Sequence, residues 1–263
     1  MSSLRKYVVV FKLYFQKLSE YRAYFFLGIV NSVITNLLLL LFWSSLAGSG
    51  ANLGPYTSTT FVHYYLLAAL IASTIGASSE DIAQEIKNGT ISVYLVKPVD
   101  FLLVKFLSKL PAKLITFSIG SMVLIVVLIF TNMFGNFGPR AGVFFVFLLL
   151  SILGNYLLYF VVGLSAFWIQ ETHGLTSFVS MGSRLVAGNI IPLDLLPAVF
   201  VSISYLFPFR YFYFLPIRAF LGLASQNEIA TGLMLECEWI ISLYILARLI
   251  WRFGIKRLEV IGI

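Results

Sequence analysis

The chain has 263 residues, 60% of them hydrophobic and 11% charged, and a mean hydropathy of +0.95. A soluble domain carries about a quarter charged residues, so soluble-enzyme and DNA-binding classes are excluded, and so is disorder, which requires few hydrophobics. The long unbroken apolar runs also exclude an outer-membrane barrel of alternating ten-residue strands, leaving an all-α polytopic membrane protein.

Eighteen Lys and Arg against 11 Asp and Glu give a net charge of +7. In such a chain basic residues act as topology signals, and no nucleic-acid partner is implied. The single Cys237 allows no internal disulfide and no cysteine zinc site. Residues 1–22 carry six charges spread along their length, unlike a cleavable signal peptide. Instead, Leu4, Tyr7, Val8, Phe11, Tyr14, Phe15, Leu18 and Tyr21 fall on one helical stripe. Arg5, Lys6, Lys12, Gln16, Lys17 and Glu20 lie largely off it. This predicts an amphipathic helix along the membrane surface; a helix packed on a soluble partner would carry the same stripe.

Tyr24–Leu46 is uncharged for 23 residues, enough to cross a core of about 30 Å, and predicts the first span (24–46). A short Gly- and Pro-rich loop follows, then a second span at 61–79. Residues 80–100 are polar. A third span is expected at 110–134, with its uncharged part from Leu114. Gly135, Asn136, Gly138 and Pro139 make a turn, and a fourth span follows at 141–170. A fifth is expected at 172–192, interrupted by Arg184. Pro197 and Pro208 break the apolar stretch after it, so 193–228 reads as short re-entrant or surface-lying helices, because irregular backbone at depth needs shelter. A sixth span at 229–251 accommodates Glu236 and Glu238, and 252–263 is a tail.

Fourteen of the 18 basic residues fall before the first span, between the second and the uncharged part of the third, or at and beyond the end of the sixth. The positive-inside rule then places both termini in the cytoplasm of a multi-pass cell-membrane protein with six spans. Asn88-Gly89-Thr90 fits a glycosylation pattern, but on this basic side it reads as a turn.

No phosphate-binding loop, dinucleotide fingerprint, zinc-protease pattern or nucleophile elbow occurs. The two histidines lie in different segments. Neither an enzyme nor a metal or cofactor site in this chain is expected.

The segment from Ser78 to Asp100 carries the most information. Ser78 and Asp81 have the spacing of a capping box. Glu80 and Asp81 suit the positive end of a helix dipole and Lys87 the negative end. Asn88-Gly89 supplies a left-handed stop. A short self-capped helix is predicted, its acids placed to be read by a partner; a plain connector between two spans would have the same spacing.

The run Glu85-x-x-x-Gly89-Thr90-Ile91-x-x-x-Leu95-x-x-Pro98 resembles an element of ABC-2-type transporter permeases that lies between spans two and three. Gly188-Asn189-Ile190-Ile191-Pro192-Leu193-Asp194-Leu195-Leu196-Pro197, with Leu206-Phe207-Pro208-Phe209 and Pro216-x-x-x-x-Leu221-Gly222, resembles the region around span five in the "ABC-2 family transporter protein" branch. The resemblance implies a permease subunit that pairs with a second permease, identical or paralogous, and with separate ATPase subunits that hold ATP and Mg. It implies a coupling helix, with coupling roles for Glu80, Asp81, Glu85, Gly89, Thr90 and Pro98. It also implies ATPase contacts for the N-terminal helix, and export of drugs, lipids or glycans. A secondary transporter or channel is the rival reading, but such proteins place ionisable groups in mid-membrane, and only Arg184, Glu236 and Glu238 qualify. Arg184 is assigned to the translocation path; pairing with Glu171, Asp194 or a headgroup is its alternative.

Overall fold

Runs of Leu, Val, Ile and Phe with no internal charge favour helix, because helices satisfy their own backbone groups wherever water is absent. The computed structural model describes residues 3–20, 22–51, 53–131, 138–169 and 171–261, and it is helical throughout, with no strand among them. In chain order the helices are α1 (Ser3–Glu20), α2 (Arg22–Gly48), α3 (Ser58–Ile75), α4 (Glu80–Lys87), α5 (Ser92–Val96), α6 (Phe101–Phe130), α7 (Gly138–Leu164), α8 (His173–Val186), α9 (Ala198–Ser204), α10 (Leu215–Leu221) and α11 (Gln226–Ile261).

Among the described residues three stretches are long and apolar enough to cross a membrane: Ser58–Lys87, which joins α3 to α4, Phe101–Phe130 and Arg140–Phe167. A bent pair, Ala198–Ser204 with Phe209–Leu221, passes only when its two arms are joined, and these meet at 88°. Arg210 fixes this bend. Its guanidinium donates to Ser204 Oγ and Tyr205 Oη, both at 3.1 Å, and lies 4.0 Å above the Tyr205 ring.

Several element ends differ from the sequence expectation. The helix of the third span begins at Phe101 because Asp100 accepts from the Leu103 amide at 2.9 Å and caps it there. Pro111 lies inside this helix, which continues past it to Phe130. The fifth span expected at 172–192 contains a helix only over His173–Val186. Fourteen residues rise about 21 Å; beyond them Gly188 takes φ +78 and the chain leaves helical form. Residues 132–134 of the third span, the Gly135-Asn136 turn, Tyr21 and the last two residues of the tail lie outside the described residues.

Two apolar cores matter for the site. One packs α3 against α6, α7 and the aromatic stretch after α9, through Tyr64, Tyr65, Leu67, Ile71, Phe212 and Phe214. The other gathers Ile82, Ile86, Ile91, Phe101, Tyr156, Phe160 and Phe167, and seats α4 on α7. Helix α1 packs along α6, with Tyr7, Phe11, Tyr14 and Leu18 half-buried.

Candidate functional site

The connection from α3 to α6 holds all six residues expected to couple. It begins where α3 ends. Lys113, buried on α6, donates to the carbonyls of Thr74 at 3.0 Å and Gly76 at 2.9 Å. An ammonium at this place neutralises the partial negative charge of the last carbonyls of α3. Ser79 then packs against α8, its hydroxyl 2.6 Å from Thr176 Oγ1.

Helix α4 starts without the capping box expected of Ser78 and Asp81. The residue before its first turn is Ser79, whose side chain makes no cap bond, and Ser78 Oγ accepts from the Glu80 amide at 3.2 Å. Asp81 is unavailable as a cap because its carboxylate faces Lys109 at 2.9 Å. Ile82, Ala83 and Ile86 form the buried face. They meet α7 at Gly163, where a hydrogen instead of a side chain permits the approach: a Cβ there would stand 2.8 Å from Ile82 Cβ and 3.0 Å from the Ser79 carbonyl.

The C-terminal stop follows the sequence. Gly89 adopts φ +70, a conformation that costs a residue with a Cβ. The chain then turns back over α4. Thr90 Oγ1 and the Ile91 amide both donate to the Glu85 carbonyl, at 3.2 and 3.3 Å. Ser92 Oγ donates to the Gly89 carbonyl at 2.8 Å. The Glu-x-x-x-Gly-Thr-Ile pattern is thus a folding unit: Glu85 supplies the acceptor, Gly89 the turn, Thr90 the lock and Ile91 the buried plug.

The acids of α4 turn mostly inward. The Glu85 carboxylate accepts from Lys105, which lies 5.6 Å from the ring centres of both Tyr94 and Phe101. Burial, and then the nearby carboxylates Glu85 and Asp81, raise the Tyr94 hydroxyl above its ordinary pKa. Only Glu80 looks outward, 3.3 Å from an exposed His173. Sequence reasoning treated Lys105, Lys109 and Lys113 as topology charges and missed their bonds; their four-residue spacing was the available signal.

The exposed face of the connection is polar along α4, with Glu80, Gln84, Lys87 and Asn88, and carries an apolar patch on α5. On α5, Val93, Leu95 and Val96 are exposed, Val96 to 87%, and Lys97 and Pro98 continue the exposed edge. The N-terminal helix reaches this edge: Lys6 Nζ donates to the Pro98 carbonyl at 3.4 Å, and Tyr7 Oη accepts from the Asp100 amide at 3.2 Å. Asp100 also binds Arg248 of α11. The expected site residues therefore fall into two groups. Asp81, Glu85, Gly89 and Thr90 build the support, while Glu80 and Pro98 face outward.

At the other end of α3 the second sequence pattern is tied down by tyrosines. Tyr64 donates to the Gly188 carbonyl, Tyr65 to that of Ile190 at 2.7 Å, and Tyr56 to Asp194 Oδ2 at 2.9 Å. Asp194 also pairs with Arg218 at 3.3 Å. Burial and then Asp194 raise the Tyr56 hydroxyl above its ordinary pKa, keeping it a donor. Arg184 lies apart, exposed on α8, and among the described residues it pairs with neither Glu171 nor Asp194. No group of three or more potential metal ligands occurs among the described residues.

No curated protein matches the chain. A family model described as ABC-2 family transporter protein matches residues 33–262, a stretch that includes the whole α3–α6 connection and the tyrosine-bound segment at 188–194. With its apolar spanning helices, the chain belongs to the ABC-2 family of transporter proteins and is a transmembrane permease.

Proposed function

We propose that the chain is the permease subunit of an ATP-binding cassette exporter, driven by ATP and Mg on a separate ATPase subunit. A second permease copy, identical or paralogous, completes the membrane pathway for a hydrophobic or amphiphilic cargo such as a drug, lipid or glycan. Six traverses run through α2, α3, α6, α7, α8 with the chain after it, and α11. Both termini and the α3–α6 connection face the cytoplasm of the cell membrane. The bent pair α9–α10 is a re-entrant hairpin on the outer side. Arg184, exposed on α8, belongs to the translocation path.

The observation that carries this reading is the exposed trio Val93, Leu95 and Val96, mounted on a segment that Ile82, Ile86 and Ile91 anchor in the core. Exposed apolar groups on a rigid polar connection mark a protein contact. A connection that merely joined two spans would have no need of the Lys105–Glu85 and Lys109–Asp81 pairs or of the Thr90 lock. A ligand or partner shifts an equilibrium only through contacts that differ between states, and a braced helix transmits displacement better than a loose loop. The test is co-purification of a nucleotide-hydrolysing subunit with the tagged chain. Replacing Val96 with Asp should weaken that association at least tenfold, about 1.4 kcal/mol, with the permease still inserted. Equal recovery of the ATPase with Val93, Leu95 and Val96 all changed to Asp would exclude this docking surface.

A further inference from the structure

We propose that Lys105, Lys109 and Lys113 form a transmission clamp, three positioning residues that bind the end of α3 and the length of α4 to α6 so that the three helices move as one body. The inference rests on the reading of the α3–α6 connection as the segment an ATPase displaces. Residues four apart share one face of a helix, so the three ammonium groups make a single row along α6. Their partners run in the reverse order along the chain: Glu85, then Asp81, then the Thr74 and Gly76 carbonyls. One antiparallel register satisfies all three rungs, and a relative slide of the two segments breaks them together.

Burial separates this role from that of a topology signal. Lysines that orient a membrane protein keep their heads in water or among lipid headgroups, as Lys87 and Lys97 do on the exposed face of the connection. Lys105 and Lys113 are only 3% and 5% exposed. A buried charge stripped of its partner is strongly unfavourable, so the Lys105–Glu85 rung resists opening; opening the Lys113 rung leaves the buried Thr74 carbonyl without its donor. The middle pair, Lys109 with Asp81, is about one-third exposed and is the weaker one. The row also straddles Pro111, where α6 lacks one backbone donor.

The clamp gives a displacement somewhere to go. Helix α3 is 18 residues long, about 27 Å at 1.5 Å per residue. Lys113 holds one end of it, and Tyr64 and Tyr65 of the same helix hold the carbonyls of Gly188 and Ile190 toward the other. Pushing α4 therefore moves the 188–190 turn through a continuous chain of bonds. Lys113, Tyr64 and Tyr65 act in that path without touching the ATPase.

The experiment is hydrogen exchange by mass spectrometry on the purified permease–ATPase complex, with and without MgATP. Four forms are compared: unsubstituted, Lys109→Asp, Asp81→Lys, and the two exchanged together. In the unsubstituted complex MgATP should change exchange at 80–96 and at 188–196. Each single variant, placing like charges together, should keep the response at 80–96 and reduce that at 188–196, with exchange at 80–87 faster without nucleotide. The double exchange should restore both responses, which a direct bond from Asp81 to the ATPase would not allow. An undiminished response at 188–196 in both single variants overturns the clamp alone, and so does a double exchange that restores nothing while Lys109→Met behaves as the unsubstituted form. No response at 80–96 in the unsubstituted complex overturns the coupling reading, and the clamp with it.

Discussion

Gly163 of α7 and Ile82 of α4 are in contact without an intervening side chain, and a Cβ on Gly163 would stand 2.8 Å from that of Ile82 and 3.0 Å from the Ser79 carbonyl. Two of the three nearest atoms belong to the backbone or to a β-branched Cβ, so neither can swing aside. Gly163→Ala should push α4 away from α7 and cost about 1–3 kcal/mol, the usual penalty for overpacking. Limited proteolysis at the Asn88–Thr90 turn should accelerate in this variant while the rest of the chain stays resistant. Unchanged cleavage would mean that α4 is not seated on α7.

The tyrosines of α3 invite a separate measurement. Tyr64 is fully buried and its hydroxyl donates to the Gly188 carbonyl, at a residue whose φ of +78 already departs from helix. Tyr64→Phe leaves that buried carbonyl without its donor and should lower stability by about 1–3 kcal/mol. Tyr65→Phe, whose hydroxyl bond is only part-buried, should cost less, about 0.5–1.5 kcal/mol. Thermal unfolding in detergent would rank the two, and the reverse order would contradict the burial argument.

Much of this was legible in the residues. Uncharged runs announced the apolar helices, and Asn88-Gly89 announced the turn that Gly89 makes at φ +70. The paired prolines around 197–208 announced the break that the structure bends through 88°. What escaped notice were relations between distant segments. Ser78 and Asp81 have capping-box spacing, yet Lys109, 28 positions further along, takes the Asp81 carboxylate. Charge counting grouped Lys105, Lys109 and Lys113 with the polar connection, but could not tell that two of the three are buried. Helix α8 covers only part of the stretch expected as the fifth span, because Gly188, held by Tyr64, departs from helical form at φ +78.

Glu236 on α11 is fully buried against α7, where Ser151 Oγ donates to its Oε1 at 2.7 Å. No cation lies within salt-bridge distance of it among the described residues. Its contribution is therefore a hydrogen bond between helices, which an amide can replace. Glu236→Gln should leave assembly and unfolding temperature close to the original. Ser151→Ala alone should destabilise by about 1–3 kcal/mol because a buried acceptor loses its donor, and Ser151→Ala with Glu236→Leu should recover most of that loss. A large defect in Glu236→Gln would instead assign the carboxyl a charge-dependent role.

Glu85→Lys and Gly89→Val separate the support of the coupling segment from its shape. Glu85→Lys sets a second ammonium against the buried Lys105, and leaving that charge unpaired is worth about 3–5 kcal/mol. This variant should accumulate poorly in the membrane, and a transport defect in it would report on folding as much as on coupling. Gly89→Val acts differently. The residue is half-buried, its φ of +70 disfavours a β-branched side chain by about 1–2 kcal/mol, and the bonds from Thr90 and Ile91 to the Glu85 carbonyl depend on the turn it makes. The Lys105 and Lys109 pairs precede the turn and should survive. Gly89→Val should therefore insert normally and hold the ATPase less tightly, because the α5 trio is misdirected. ATP hydrolysis by the associated ATPase should then continue with export reduced about tenfold, an energetic equivalent of about 1.4 kcal/mol. Measuring hydrolysis and export on the same reconstituted vesicles checks the ratio, and an unchanged ratio would mean that the turn at Gly89 does not orient the coupling surface.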